Sequence, residues 1–463
     1  MTPANTAQKQ DYIDNERIES SVGLLETGFD RSNLTVSIDR FTCPDYAARE
    51  RELIWMKVWQ TVGRVEDLPE VGDWKTYNIY DQSFIIVKGN DGKIRGFVNA
   101  CTHRGNVMCT EKKGHAGARF TCPYHKWSFA LDGRLVGVGR PDLVGPLDKT
   151  KHGLVEVPVD TLGGFIFMNP DANAISLREY MGEDIVRSLE PYHMEKMTKV
   201  MDVKEALECN WKVVNDAFQE GYHIDGVHPE LLAVVVIDPS RTRYNFTSRH
   251  NLAVAPFDVK HANDPNFGAD QEVAAVRALP GTFPGTAQVL PKFEELVAPY
   301  CKDGKYTFPE GVSSRTLLQQ ATRETLTMTG FDVSELTDEQ MTDNHGYLLF
   351  PNFFLTVRAG ECHVINATPH PDGDPNRCYW HVTSYMWLPE PVRDQFKAEP
   401  VEVTEPGSFP YFLALQQDYE QMPRQQKGLR NKLLKHMVLA QEEVCVAHFH
   451  SVVDRYMSGS EIA

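Results

Sequence analysis

Two short cysteine–histidine pairs constrain this chain more than any other feature. Cys101-Thr102-His103 reads C-x-H, and eighteen residues later Cys122-Pro123-Tyr124-His125 reads C-x-x-H. Each pair puts a thiolate and an imidazole on one tight loop, and two such loops can close around a metal ion or a two-iron cluster. A structural zinc site is the plain reading, because Cys2His2 is a common zinc ligand set. The spacing favours iron, since ordinary zinc pairs join like with like, as C-x2-4-C and H-x3-5-H, whereas each pair here mixes sulfur with nitrogen.

The rest of the chain is large enough for more than a metal-binding module. Its 463 residues predict two to four domains at about 100 to 200 residues each. Hydrophobic residues at 41% and charged residues at 24% describe a folded, soluble protein. A net charge of -17 repels phosphate backbones and anionic lipid, so neither nucleic acid nor a membrane is an expected partner. Met1 to Glu16 has no apolar core of a leader, and no apolar run reaches the roughly 18 residues that span a bilayer. Nine cysteines, an odd number spread widely, fit reduced thiols plus a metal site and a cytoplasmic location.

Periodicity divides the chain. Residues Tyr46 to Trp59 predict a helix with Asp45 as its cap. From there to about Pro170, short strands between turns predict an all-β domain: Trp74 to Tyr80, Ser83 to Val87, Lys93 to Asn99, Arg119 to Cys122, Leu135 to Val138 and Gly164 to Met168. Asn90-Asp91-Gly92 and Asp132-Gly133 are the clearest turn signals between them. Beyond it, helices at Leu177 to Leu189 and Leu207 to Tyr222, strands at Leu348 to Val357 and Tyr379 to Trp387, and a helical tail from Phe409 to Tyr456 predict an α+β second half. Residues 238 to 345 read either as loops and helices over a pocket or as a poorly specified insertion.

A Rieske 2Fe-2S cluster has the composition of the two pairs, two Cys on one iron and two His on the other. The stretches Asn99-Ala100-Cys101-Thr102-His103-Arg104-Gly105 and Cys122-Pro123-Tyr124-His125-Lys126-Trp127 resemble the Rieske domain of the Rieske non-haem iron ring-hydroxylating oxygenases, large (α) subunit. That family usually reads C-x-H-R-G and C-x-x-H-G-W, so Lys126 departs from it. The resemblance implies an N-terminal segment over 1–45 packing on the catalytic domain, a Rieske domain over 46–170, and a catalytic domain over 171–463. The catalytic domain would be an antiparallel sheet flanked by helices, of helix-grip or START-like type.

A second constellation lies in the α+β half. Glu220 and His223 are three apart and would share a helix face. His223 and His228 are five apart and can meet one metal only if the helix breaks, for which Gly226 and Pro229 provide. Taken alone, H-x4-H is more often a pair of helix-end histidines. The resemblance makes it two members of a 2-His-1-carboxylate triad, which leaves open positions on a mononuclear iron. It places the third member eight residues before the Gln of Gln426-Lys427-Gly428-Leu429, at Asp418, with Glu420 as a competitor facing another side of the helix. By resemblance Glu220 also bridges His223 to His125 of the next subunit in a head-to-tail trimer. His448 and His450 read as packing or surface residues, and Phe218 and Asn352-Phe353-Phe354 as pocket or core.

The implied function is a terminal oxygenase that hydroxylates an aromatic or polycyclic substrate with O2. The alternative within the family is a monooxygenase or an O- or N-demethylase. No G-x-G-x-x-G occurs to bind a dinucleotide, so electrons from NAD(P)H would arrive through a separate reductase or ferredoxin. The resemblance leaves open a small β subunit beside the trimer. Rivals of another class are a Rieske electron carrier, which has no need of residues 171–463, and a zinc-stabilised ligand-binding protein.

Overall fold

Asn90-Asp91-Gly92 closes a hairpin in the computed structural model of the chain, which describes residues 35–233, 242–257, 267–281 and 283–460. Gly92 takes φ 78°, a left-handed value that a residue without Cβ adopts freely, and strands Gln82–Lys88 and Ile94–Val98 pair on either side. The described chain divides into two compact units, one of Ala48–Glu183 with Pro371–Gly373 and the other of the remainder.

The first unit is built almost wholly of strands. Five form an antiparallel sheet in the order Glu156–Val157, Ile94–Val98, Gln82–Lys88, Asp73–Ile79, Lys113–His115, and two three-stranded sheets complete it. Ile85, Val87, Phe97, Phe120, Phe129, Leu131 and Leu135 make its core, and Cys101, Cys122 and Trp127 belong to the same cluster. The paired loops of the sequence are therefore seated on a packed apolar base.

The second unit is an eight-stranded sheet with helices. Its strands are β1 (Thr198–Leu207), β2 (Arg243–Phe246), β3 (Asn251–Ala255), β4 (Asn344–Leu349), β5 (Phe353–Arg358), β6 (Glu361–Pro369), β7 (Cys378–Met386) and β8 (Val401–Val403). They lie in the order β2-β3-β4-β5-β6-β7-β1-β8, antiparallel throughout except for β8 beside β1. Helices α1 (Trp211–Phe218), α2 (Ile224–Val227), α3 (Leu413–Leu429) and α4 (Val444–Ser458) carry the residues discussed below. Phe353 and Phe354 are buried in the core, and half-buried Phe218 of α1 packs its ring on Phe354 and Trp380 of the sheet.

Several element boundaries differ from expectation for local reasons. The helix expected over Tyr46 to Trp59 begins at Pro44, placing Asp45 in its first turn and not at its cap. Leu177 to Leu189 breaks at Gly182, φ 82°, into two helices. Leu207 closes β1, and α1 starts only at Trp211, where Asn210 Oδ1 accepts from Lys212 N. Leu348 to Val357 is two strands, since Pro351 has no N–H to continue a ladder. The tail is α3 and α4 separated by strand His436–Val438, which pairs with Thr35–Ser37. Residues 1–34 of the expected N-terminal segment lie outside the described residues.

Between 238 and 345 the described parts include the edge strand β2, its neighbour β3 and helices Ala269–Ala278, Leu290–Val297 and Ser314–Met328. Val273, Val276, Phe293, Val297 and Ala321 are completely buried among them, which is a specified core and not a loose insertion. No helix of the described residues is long and apolar enough to cross a membrane.

Candidate metal centres

The two Cys–His motifs form two loops of the same backbone design. In the first, Cys101 N donates to Asn106 O and Gly105 N donates back to Cys101 O, both at 2.8 Å. In the second, Cys122 N donates to Trp127 O at 2.8 Å and Lys126 N to Cys122 O at 3.1 Å. The residue four after each cysteine is left-handed: Gly105 at φ 73° and Lys126 at φ 60°. A small residue suits that position for a steric reason, and Lys126 holds it against the strain of its own Cβ. Buried Asn99 clamps the first loop, accepting from Met108 N and Cys109 N while donating to Cys109 O.

These loops bring all four expected residues together. The His103 and His125 rings are 4.6 Å apart, and His103 stacks on Trp127 at 4.7 Å. Cys101 and Cys122 are buried side by side, and burial above all, with the neighbouring thiol, pushes Cys101 above its ordinary range. His125 Nδ1 is buried and has no hydrogen-bond partner. Desolvation, followed by His103 and Arg104, holds His125 below its usual value and so neutral. Two adjacent buried thiols and two neighbouring imidazoles, one with an orphaned nitrogen, are the donor set a Rieske cluster needs.

The second constellation forms in the turn after α1, at the two ends of α2 and on α3. Helix α1 ends at Phe218, so the break falls before His223; Gly226 lies inside α2. Glu220 consequently sits in a turn and not on a helix face, yet it reaches His223 as expected. Its Oε2 accepts from His223 N at 3.1 Å and its Oε1 from His223 Nδ1 at 2.6 Å. His228 Nδ1 lies 2.7 Å from Gln417 Oε1, which can only accept, so Nδ1 carries the proton. Both histidines thus present Nε2 to Asp418 Oδ1, at 3.5 Å from His223 and 2.8 Å from His228.

Ligand atoms of His223, His228 and Asp418 all lie within 4.8 Å of one another, the one such group among the described residues. Asp418 is 8% exposed, whereas Glu420 points to solvent toward Gln416 and Arg424. Burial opposes charge on both imidazoles. It is outweighed by Glu220 and Asp418 at His223 and by Asp418 and Gln417 at His228, leaving both above their ordinary value. Two imidazole nitrogens facing one carboxylate, each fixed from behind, match the facial set of a non-haem iron.

The ring hydroxylating alpha subunit (catalytic domain) family matches residues 187–459, well over half the chain. The chain belongs to that family. A Rieske [2Fe-2S] domain matches residues 58–147, which hold both loops. The glycine betaine monooxygenase oxygenase subunit of Chromohalobacter salexigens is 35% identical over 189 residues, 41% of this chain and 42% of that protein. The carnitine monooxygenase oxygenase subunit of Acinetobacter pittii is 31% identical over 221 residues, 46% of this chain and 58% of that protein. The chain thus spans about half the length of the curated relatives it matches. Naphthalene 1,2-dioxygenase with indole bound has the same fold, with a TM-score of 0.67 at 18% identity over 93% of this chain and 94% of that one.

Sequence reasoning missed Gln417, which no motif marks. It also left open whether His448 and His450 reach the surface. Both are buried: His448 meets Thr247 O, and His450 lies between Arg40 and Asp216.

Proposed function

We propose that this chain is the terminal oxygenase of a multicomponent system. Cys101, His103, Cys122 and His125 would hold a Rieske cluster, and His223, His228 and Asp418 a mononuclear iron. The observation that carries the reading is the convergence of two buried imidazoles on the Asp418 carboxylate in a chain that also holds the paired Rieske loops. The cluster supplies single electrons, and the iron with open positions supplies a place for O2 and substrate. Glu220 and Gln417 accept hydrogen bonds from the Nδ1–H groups and fix which nitrogen each imidazole turns to the metal. Phe218, Phe354 and Trp380 keep the sheet side of α1 apolar and dry.

For the reaction, we favour monooxygenation of a quaternary ammonium compound over the aromatic or polycyclic substrate that the motifs alone suggest. Support comes from the glycine betaine and carnitine monooxygenase subunits, to which the chain is similar over 41% and 46% of its length. The balance is RH + O2 + 2 e⁻ + 2 H⁺ giving ROH + H2O, with electrons from a separate reductase or ferredoxin. Dihydroxylation of an aromatic ring is the second reading, favoured by the shared fold with naphthalene 1,2-dioxygenase. A head-to-tail trimer, with Glu220 facing His125 of the next subunit, belongs to the same proposal. Product analysis with a surrogate reductase tests it: glycine betaine, carnitine and naphthalene are supplied in turn. Product from a quaternary amine supports the first reading, product from naphthalene alone the second, and none from any, with both metals present, rejects the substrate assignment.

A further inference from the structure

Asp418 stands on a helix whose own hydrogen-bond ladder is broken beside it. Pro423 lies inside α3 and has no N–H to give to the carbonyl of Tyr419, the residue after Asp418. The far half of α3 is tied down by Gln426, which accepts from Asn210 N at 3.1 Å and donates to Phe41 O at 3.1 Å. That anchor lies beyond the proline and does not directly hold the half that carries Gln417 and Asp418.

The near half is held by Glu205 of β1. This carboxylate is 1% exposed and accepts three hydrogen bonds: from Gly407 N at 2.6 Å, Tyr411 Oη at 3.0 Å and Tyr419 Oη at 2.6 Å. Tyr411 lies just ahead of α3 and Tyr419 in its second turn, so one buried carboxylate grips both the helix and the segment leading into it. Burial, followed by the charge and hydrogen bonds of Glu205, pushes both phenols up, and they remain donors. Trp380 packs edge-on against both rings and against Phe218 of α1. Ring centroids only 5.7 to 6.1 Å apart are in contact, so the cluster is packed and is not an open cage for a cationic ligand.

We propose that Glu205 is the positioning residue of the triad: through Tyr419 and Tyr411 it sets the half-helix that delivers Asp418 to the metal and Gln417 to His228. This rests on the metal reading above. The cluster-loaded full chain, freed of mononuclear metal by mild chelation, is titrated with Co(II), with the Rieske visible band as an internal check of folding. Glu205→Gln should weaken Co(II) affinity about tenfold, the low end for partners that orient metal ligands. Tyr419→Phe should weaken it less. Val203→Ala, a core change on the same strand, should lower Tm and leave affinity alone. Pro423→Ala, which restores the missing N–H, should recover affinity in the Glu205→Gln background, and failure to do so overturns the role given to the proline. Affinity of Glu205→Gln within twofold of wild type overturns the proposal; should that variant not fold, unchanged affinity in Tyr419→Phe does so. A wild-type chain that binds no Co(II) would overturn the metal reading instead.

Discussion

The two constellations are held in opposite ways. The cysteine–histidine loops close on themselves through backbone hydrogen bonds within Cys101–Asn106 and Cys122–Trp127, and each rests on the core of its own unit. His223, His228 and Asp418 come from segments some 190 residues apart and meet through side chains. A locally closed loop keeps its shape whatever happens at a distance, whereas a site assembled from distant helices registers every change in their packing. The first centre should therefore fail only when a ligand or its loop is altered, and the second also when Glu205, far from its ligands in sequence, is.

The largest effect expected on the loop side is Cys122→Ser. Loss of one buried thiolate should remove the cluster and its visible spectrum, because metal binding and loop order are coupled. A full spectrum after that change would break the comparison at its first term. On the triad side, Glu220→Gln keeps size and removes the charge behind His223. It should retain both metals, yet a pre-reduced cluster should no longer reoxidise at a catalytic rate in rapid mixing with substrate and O2. Near wild-type reoxidation would reduce Glu220 to a brace of His223 and remove this chain's argument for the trimer.

Acid should separate the two units. Burial pushes His345 and His448 down to about 4, and both belong to the triad's unit; in the Rieske unit desolvation also lowers His125, whose side chain is only half-buried. Below the ordinary histidine value near 6.5 the unfolded chain takes up protons that the folded one refuses, so stability falls as pH drops from that value toward 4. By pH 5 the loss is about 2 kcal/mol for each histidine. Thermal melts followed by far-ultraviolet dichroism and by the cluster band should diverge as pH falls, with the triad's unit melting first.

These contrasts also explain what the sequence disclosed. Cys101, His103, Cys122 and His125 were legible because a short loop fixes its residues by spacing alone. Glu220 and His223 were legible as neighbours, although the contact is a turn and not the helix face expected. Asp418 needed the family register, since nothing within α3 distinguishes it from Glu420 except what packs against each. Gln417 and Glu205 had no signal at all, because their roles exist only once α3 lies on the sheet. The break before His223 was misread for a related reason: Gly226 and Pro229 are strong local signals, but α1 already ends at Phe218.

The smallest prediction compares the two loops directly. Lys126→Gly relieves a left-handed lysine and should stabilise the Rieske unit by about 1 kcal/mol, whereas Gly105→Ala should cost about as much. A Cβ at Gly105 meets nothing within 4 Å, so any cost there is backbone strain and not a clash. Equal and opposite shifts in the melting of the cluster band would confirm the shared loop design; a destabilised Lys126→Gly would mean that the lysine side chain makes contacts outweighing its strain.

Two independent iron centres in one chain are read out together by iron and acid-labile sulfide counts and the visible spectrum of the anaerobically purified chain. Wild type should hold three irons and two sulfides per chain with a Rieske spectrum, by the cluster and triad compositions. Asp418→Ala should fall to about two irons with that spectrum unchanged, while Glu420→Ala keeps all three. A colourless wild-type chain holding zinc, or an Asp418→Ala chain that keeps its third iron while Glu420→Ala loses it, would contradict the account.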